Sequence, residues 1–234
     1  LGDVYKRQVY AWALMPNHFH LLVRTGQAPL AQSMRKLLTG YVVNFNRRHK
    51  RYGHLFQNRY KSIICEADPY LLELTRYLHL NPVRGGILKR LSDLRRYPWT
   101  GHSAILGAVD RPWQDTSTIL AAFGRNRQRA RERYGDFVRE GLAQGRRPEL
   151  VGGGLIRSMG GWSQVLSLRR KGSRVAADDR ILGGGEFVEQ LLAQAATREK
   201  ETLRLSRKRV DLARLAATLG AEEVPEAELR SGGR

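Results

Sequence analysis

The 234-residue chain has one cysteine, Cys65, which excludes an internal disulfide framework and fits a reducing cytosol. No apolar run reaches the roughly 18–20 residues of a membrane span, and nothing at the start has the pattern of a signal peptide. A soluble, cytoplasmic protein with no membrane association is expected. Carboxylates are scarce as well: 22 Asp+Glu stand against 41 Lys+Arg, a formal net charge of +19. Between Asp3 and Glu66 there is no acidic residue at all, while eleven Lys/Arg fall in that stretch. Such one-sided charge points to a polyanionic partner, because phosphate contacts and counterion release dominate nucleic-acid affinity. There is no internal repeat and no long low-complexity tract.

What remains is a pattern of short elements. "VYAWALM" (9–15) reads as a strand ending at Pro16-Asn17, and "HFHLLVR" (18–24) as its hairpin partner. From Pro29 to about His49, Leu30, Met34, Leu37, Tyr41 and Phe45 recur at helical spacing, with Pro29 suited to the first turn. "YKSIIC" (60–65) is a short strand candidate. Asp68-Pro69 then opens a second helix, with Asp68 as N-cap, and Pro82 predicts its stop at Asn81. "YPWTGHSAILG" (97–107) is aromatic and turn-like and is expected to pack back on the preceding residues. Residues 116–145 look helical and charged, "VGGG" (151–154) and "GGG" (183–185) read as joints, and "EFVEQLLAQAATREKE" and "KRVDLARLAATLG" are amphipathic helix candidates.

Strand periodicity puts His18 and His20 on one side of "MPNHFHLLV", with Phe19 and Leu21 on the other. The pair either decorates a polar face or supplies two ligands of a metal site. A histidine-triad hydrolase would need a third imidazole at position 22, which is Leu22. On the second helix a spacing of four places Tyr77 and Asn81 one turn apart, with Tyr70 and Glu73 extending that face. Leu71, Leu74 and Leu78 form the aliphatic stripe beside it, so Tyr77 borders the buried face. Two imidazoles and a carbonyl oxygen leave open positions on a divalent ion that could polarise a phosphodiester, and a neighbouring phenol is a possible nucleophile. Packing explains the tyrosine equally well if it stands alone. Glu73 reads as a solvated helix carboxylate that could otherwise tune the site, and His79 as structural or surface. Arg47, Arg48, Lys50 and Arg51, with His54, Gln57, Arg59, Tyr60 and Lys61, interleave cations and aromatics as single-strand binding requires. Residues 54–61 could equally be a turn packed on the sheet. The arginines of 125–133 read as a solvated helix face.

In this order, "MPNHFHLLV", "GHLFQNRYKS" and "LTRYLHLNPVRGG" resemble the HUH-type single-tyrosine transposases, specifically the REP-associated tyrosine transposase branch, over roughly residues 9–107. The resemblance implies an α+β, ferredoxin-like core, an antiparallel sheet with helices on one face. It implies Tyr77 as catalytic nucleophile and His18, His20 and Asn81 as ligands of Mg²⁺ or Mn²⁺. The substrate class it implies is single-stranded or hairpin DNA, held by the basic residues above and Arg84, with a 5′-phosphotyrosine intermediate and a freed 3′-OH. A monomer or a homodimer would serve.

The implied core begins with a further strand and helix before "VYAWALMPN", whereas eight residues precede it here and the first is Leu1. The chain is therefore expected to be truncated at both ends. It divides into a leader (1–8), a partial catalytic domain (9–110), a helical and linker region (111–185) and a partial helical DNA-binding module (186–234). The alternative function is a catalytically inactive nucleic-acid-binding protein.

Overall fold

The computed structural model describes residues 8–26, 28–145, 147, 150 and 180–200. The chain divides into two units, Leu1–Gly184 and Gly185–Arg234. In the second, residues 185–200 are helical, as the amphipathic pattern predicts. "VGGG" (151–154) and "KRVDLARLAATLG" lie outside the described residues, and the described secondary structure of the first unit is mixed α and β.

Strands β1 (Gln8–Leu14) and β2 (Phe19–Arg24) form the expected antiparallel hairpin, with Ala13 opposite His20 and Ala11 opposite Leu22. A bulge between Val9 and Ala11 accommodates Tyr10. β1 is buried from Val9 to Ala13, because its other edge is closed as well. Ala13 bridges Thr100, and Leu14 N–H donates to the Trp99 carbonyl at 2.8 Å. Further along, Val9 bridges Gln114 and accepts from Asp115 N–H at 2.9 Å. In the gap between these bridges the buried Gln114 amide supplies the missing contacts. It donates from Nε2 to the Tyr10 and Gly101 carbonyls (3.2 and 3.1 Å) and accepts from Trp12 Nε1 at 3.0 Å. The 97–107 segment thus packs back as its composition predicts, ending in the short helix α3 (His102–Ile105).

Helix α1 (Leu30–Arg48) matches its periodicity, with Pro29 at the N-cap position just before the first turn. Only Ser33 and Met34 are buried on it. The strand expected at 60–65 is reduced to β3 (Ile64–Cys65), which pairs in parallel with β4 (Ile181–Leu182) as a separate sheet.

Helix α2 (Ala67–Arg84) differs from the prediction at both ends. Glu66 is the N-cap, so Asp68 lies in the first turn, where its charge suits the helix dipole. At the other end the helix runs through Pro82 to Arg84. Pro82 removes one N–H, but the helical bond from Gly85 N–H to the Asn81 carbonyl (2.7 Å) survives, and the buried Pro82 carbonyl accepts from Ile87 and Leu88 N–H. Burial along Leu74–Leu80 on both sides of the helix overrides the local preference for a stop. A 3-10 turn (Leu91–Arg96) and helices α4 (Ser117–Ala121) and α5 (Arg127–Ala143) follow. Helix α5 turns Ala130, Tyr134, Val138 and Gly141 inward and leaves Arg127, Arg129 and Arg133 exposed, the solvated face its sequence predicts. Tyr10, Leu80, Leu94, Ile105, Ile119, Tyr134 and Val138 form the main core.

Candidate functional site

Two contacts fix how α2 lies along the hairpin. Leu22 packs on the cluster that holds Leu74, and a β-carbon on Gly85 would stand 3.0 Å from Met15 Cε. Between those anchors α2 climbs about 16 Å. At 100° per residue, Leu74, Tyr77, Leu78, Asn81 and Gly85 share one stripe of about that width. On the strand side, Leu22 and His20 stand opposite Ala11 and Ala13 and so share a face with them. Both alanines are fully buried, and their small side chains let the helix approach. The stripe bearing Tyr77 and Asn81 therefore runs along the face of the hairpin that carries His20.

The His18 and His20 rings meet edge to face with centroids 5.0 Å apart. His18 is exposed and its Nδ1 is 2.7 Å from Asn17 Oδ1, which suits the tautomer that donates from Nδ1 and keeps the Nε2 lone pair for a ligand. Burial, with His18 as a second influence, holds the His20 pKa below its ordinary value, so the imidazole is neutral at pH 7 and able to ligate. The buried side-chain amide nitrogen of Asn81 finds no partner among the described residues, and a half-turn of the amide presents its oxygen at the same place. Among the described residues no three His, Cys, Asp or Glu side chains gather into a metal-binding group. A divalent ion here would need the two imidazoles and an amide oxygen, with water or phosphate completing the set; the imidazoles are borderline donors and the oxygens hard ones.

Tyr77 is half-buried against Leu74, Leu150 and Leu182, and the Arg84 guanidinium carbon lies 5.5 Å from its ring centre. Cys65 packs on the same cluster, and burial pushes its thiol up to about 11, which makes it inert. Glu73 is not the solvated carboxylate that its place on the helix suggested. It accepts from Arg76 Nη2 at 2.7 and 2.5 Å and from Arg147 Nη1 at 3.3 Å. Arg76 is the (i, i+3) partner that helical spacing offers, whereas Arg147 carries no local sequence signal, because it meets Glu73 only through the packing of the chain after α5 on α2. His79 proves fully buried and structural.

The basic residues form a surface of their own. Arg47, Arg48, Lys50, Arg51, His54, Gln57, Arg59 and Lys61 are all exposed. The aromatics between them make a ladder that α1 displays. Tyr41 stacks on Phe45 (5.9 Å), Phe45 meets His49 (4.3 Å), and Arg51 lies over Phe45 at 5.9 Å. Phe56 ties the 51–63 loop to this ladder and to the hairpin, standing 6.2 Å from both Tyr41 and Phe19. Tyr60 is half-buried.

Residues 2–81, which include His18, His20, Tyr77 and Asn81, match the family described as Transposase IS200 like. That match supports a transposase function in general. No curated protein and no solved structure matches the chain. Among the described residues no helix is long and apolar enough to cross a membrane.

Proposed function

We propose that this chain is a single-stranded DNA endonuclease and strand transferase of the HUH single-tyrosine type, REP-associated branch, built on a ferredoxin-like core. Tyr77 is the nucleophile, and His18, His20 and Asn81 hold Mg²⁺ or Mn²⁺. The observation that carries this reading is the shared stripe of Tyr77 and Asn81 along the His20-bearing face of the hairpin, inside the segment that matches the transposase family. The Tyr77 phenol oxygen forms a bond to phosphorus as the bond from phosphorus to the 3′-oxygen breaks. The phenol proton leaves to solvent, and the departing 3′-oxygen takes one up as the free 3′-OH. The product is a 5′-phosphotyrosine that conserves the phosphodiester's energy for rejoining. The divalent ion, when bound, withdraws charge from a phosphoryl oxygen. His18 and His20 contribute neutral nitrogen donors, and Asn17 orients His18.

Incubation with labelled single-stranded hairpin DNA and Mn²⁺, followed by denaturing electrophoresis, tests the reading. A covalent adduct is expected from the wild type and none from Tyr77→Phe. An adduct that survives Tyr77→Phe overturns the nucleophile. Absence of any adduct from folded wild type leaves the second reading, a nucleic-acid-binding protein without chemistry. The Tyr41–Phe45–His49 ladder among cations, exposed at Tyr41 and His49, favours that one, since stacking and phosphate contacts need no catalytic centre.

A further inference from the structure

Three guanidinium groups crowd behind Tyr77, with one carboxylate among them. Glu73 is engaged by Arg76 and Arg147, and both arginines also donate to Gln144 Oε1, at 2.8 and 2.6 Å. Arg76 is further fixed by the Phe137 ring, 4.1 Å from its guanidinium carbon, and by the Phe137 carbonyl. Among the described residues no carboxylate pairs with Arg84. Its Nη2 donates to the Gly141 carbonyl at 2.8 Å, whereas Nε and Nη1 are buried and find no partner among those residues. Burial holds the Arg84 pKa below its ordinary value, and nearby Arg76 and Arg147 push the same way, against the opposing influence of Tyr77. Leaving buried donors unmade is costly, roughly 1–3 kcal/mol each and more when charged. An anion is the ligand that relieves both the missing bonds and the unbalanced charge.

We propose that Arg84, backed by Arg76 and Arg147, is a phosphate subsite beside Tyr77 that receives the phosphoryl group the tyrosine attacks. The cationic identity of the subsite stands on the Arg84 geometry alone; the identity of the phosphate rests on the proposed function. The Tyr77 ring stands beside this guanidinium, its centre 5.5 Å from the central carbon, so the nucleophile and the subsite adjoin. Arg84 is thereby more than one contact among many in the basic surface. It touches the reacting group, while Arg47, Arg48, Lys50 and Arg51 lie on α1 and the loop after it.

The test uses the full chain and two readouts. Titration calorimetry with phenyl phosphate, a mimic of the phosphotyrosine head, is expected to show binding that weakens at least about tenfold in Arg84→Gln. Adduct formation at saturating DNA is expected to slow about a hundredfold in the same variant, with the half-saturating DNA concentration within about twofold of wild type. Equal phenyl phosphate affinity in wild type and Arg84→Gln overturns the subsite. If Arg84→Gln does not fold, Arg84→Lys carries the test, because it keeps the charge and a donor for Gly141 but loses the planar fork. At least fivefold weaker binding, roughly, is expected of it, and unchanged binding overturns the proposal. The two readings fail separately. Phenyl phosphate bound through Arg84 without any DNA adduct removes the nucleophile and keeps the subsite. An adduct that forms at wild-type rate in Arg84→Gln does the reverse.

Discussion

His79 Nδ1 lies 2.7 Å from the phenol oxygen of Tyr134, with both side chains fully buried where α2 crosses α5. The same oxygen is 3.0 Å from His102 Nδ1. A phenol has one proton to give, so one imidazole accepts it and the other donates its own N–H to the oxygen. The accepting ring must be neutral for the arrangement to hold, and burial disfavours charge on either ring.

That requirement predicts acid lability. Burial holds His79 well below the ordinary histidine value of 6.5 and lowers His102 to about 4, so the folded chain refuses protons that the unfolded chain takes up below 6.5. Stability is therefore full above that pH and falls as the pH drops toward 4, at about 1.4 kcal/mol per pH unit for each histidine. Urea midpoints measured from pH 7 to 5, above the range of most carboxylates, should decline on this slope. A flat profile contradicts the neutral pair.

Tyr134→Phe keeps the ring and removes the shared oxygen. Two buried imidazole nitrogens then lose their partner, and the expected loss is about 2–4 kcal/mol in denaturant unfolding. A change below 1 kcal/mol, roughly, would mean that water replaces the phenol without cost.

Gln114 closes the open edge of β1. Gln114→Ala takes the partner from Trp12 Nε1 and the amide donor from the Tyr10 and Gly101 carbonyls, the latter keeping Ile105 N–H at 3.3 Å, and about 2–3 kcal/mol of stability should go with them. Gln114→Glu should be worse, since it deletes two donors and buries a charge. Thermal unfolding of the two variants gives the order directly.

Gly141 carries Arg84 on its carbonyl and the Arg76 side chain across its α-carbon, where a β-carbon would collide with Arg76 Cδ. Arg76 is pinned by Glu73, Gln144 and Phe137 and has little room to yield. Gly141→Ala should cost about 1–3 kcal/mol in unfolding experiments and slow adduct formation in the variant that remains folded.

On α1, Tyr41→Ala and Phe45→Ala remove the ladder without touching the core, because Tyr41 is 54% exposed and neither residue is buried. Single-strand affinity should fall by about 1–3 kcal/mol per ring with the melting temperature unchanged. Equal affinity of the double variant and wild type would move the binding face elsewhere. Raising the salt should weaken both proteins steeply, since the flanking cations remain.

The hairpin was legible because strand alternation and the Pro16-Asn17 turn are local signals, and the structure pairs Ala13 with His20 and Ala11 with Leu22 accordingly. Helix α1 was legible for the same reason. Pro82 misled, because a local rule about the residue before proline yielded to burial of the surrounding turn. β3 was overextended, since only its last two residues find a partner, and that partner lies more than a hundred residues on. Glu73 was misjudged on similar grounds. A helix carboxylate reads as solvated until a remote Arg147 arrives beside it. The histidine pair could be assigned to one face from spacing, but the neutrality of the His20 imidazole comes from burial, which no spacing reveals.

Tyr77 and Asn81 sit on one unbroken helix, whereas His18 and His20 belong to the hairpin. In mechanical terms there are two parts and one joint. Any tilt of α2 carries the phenol and the amide together and changes only their offset from the imidazoles. The residues that set that offset are none of the four, but their neighbours Ala11, Ala13, Met15 and Gly85 on one side and the α5 contact on the other. Alignment is therefore a property of packing, and substitutions there would detune the chemistry while every proposed ligand stays in place.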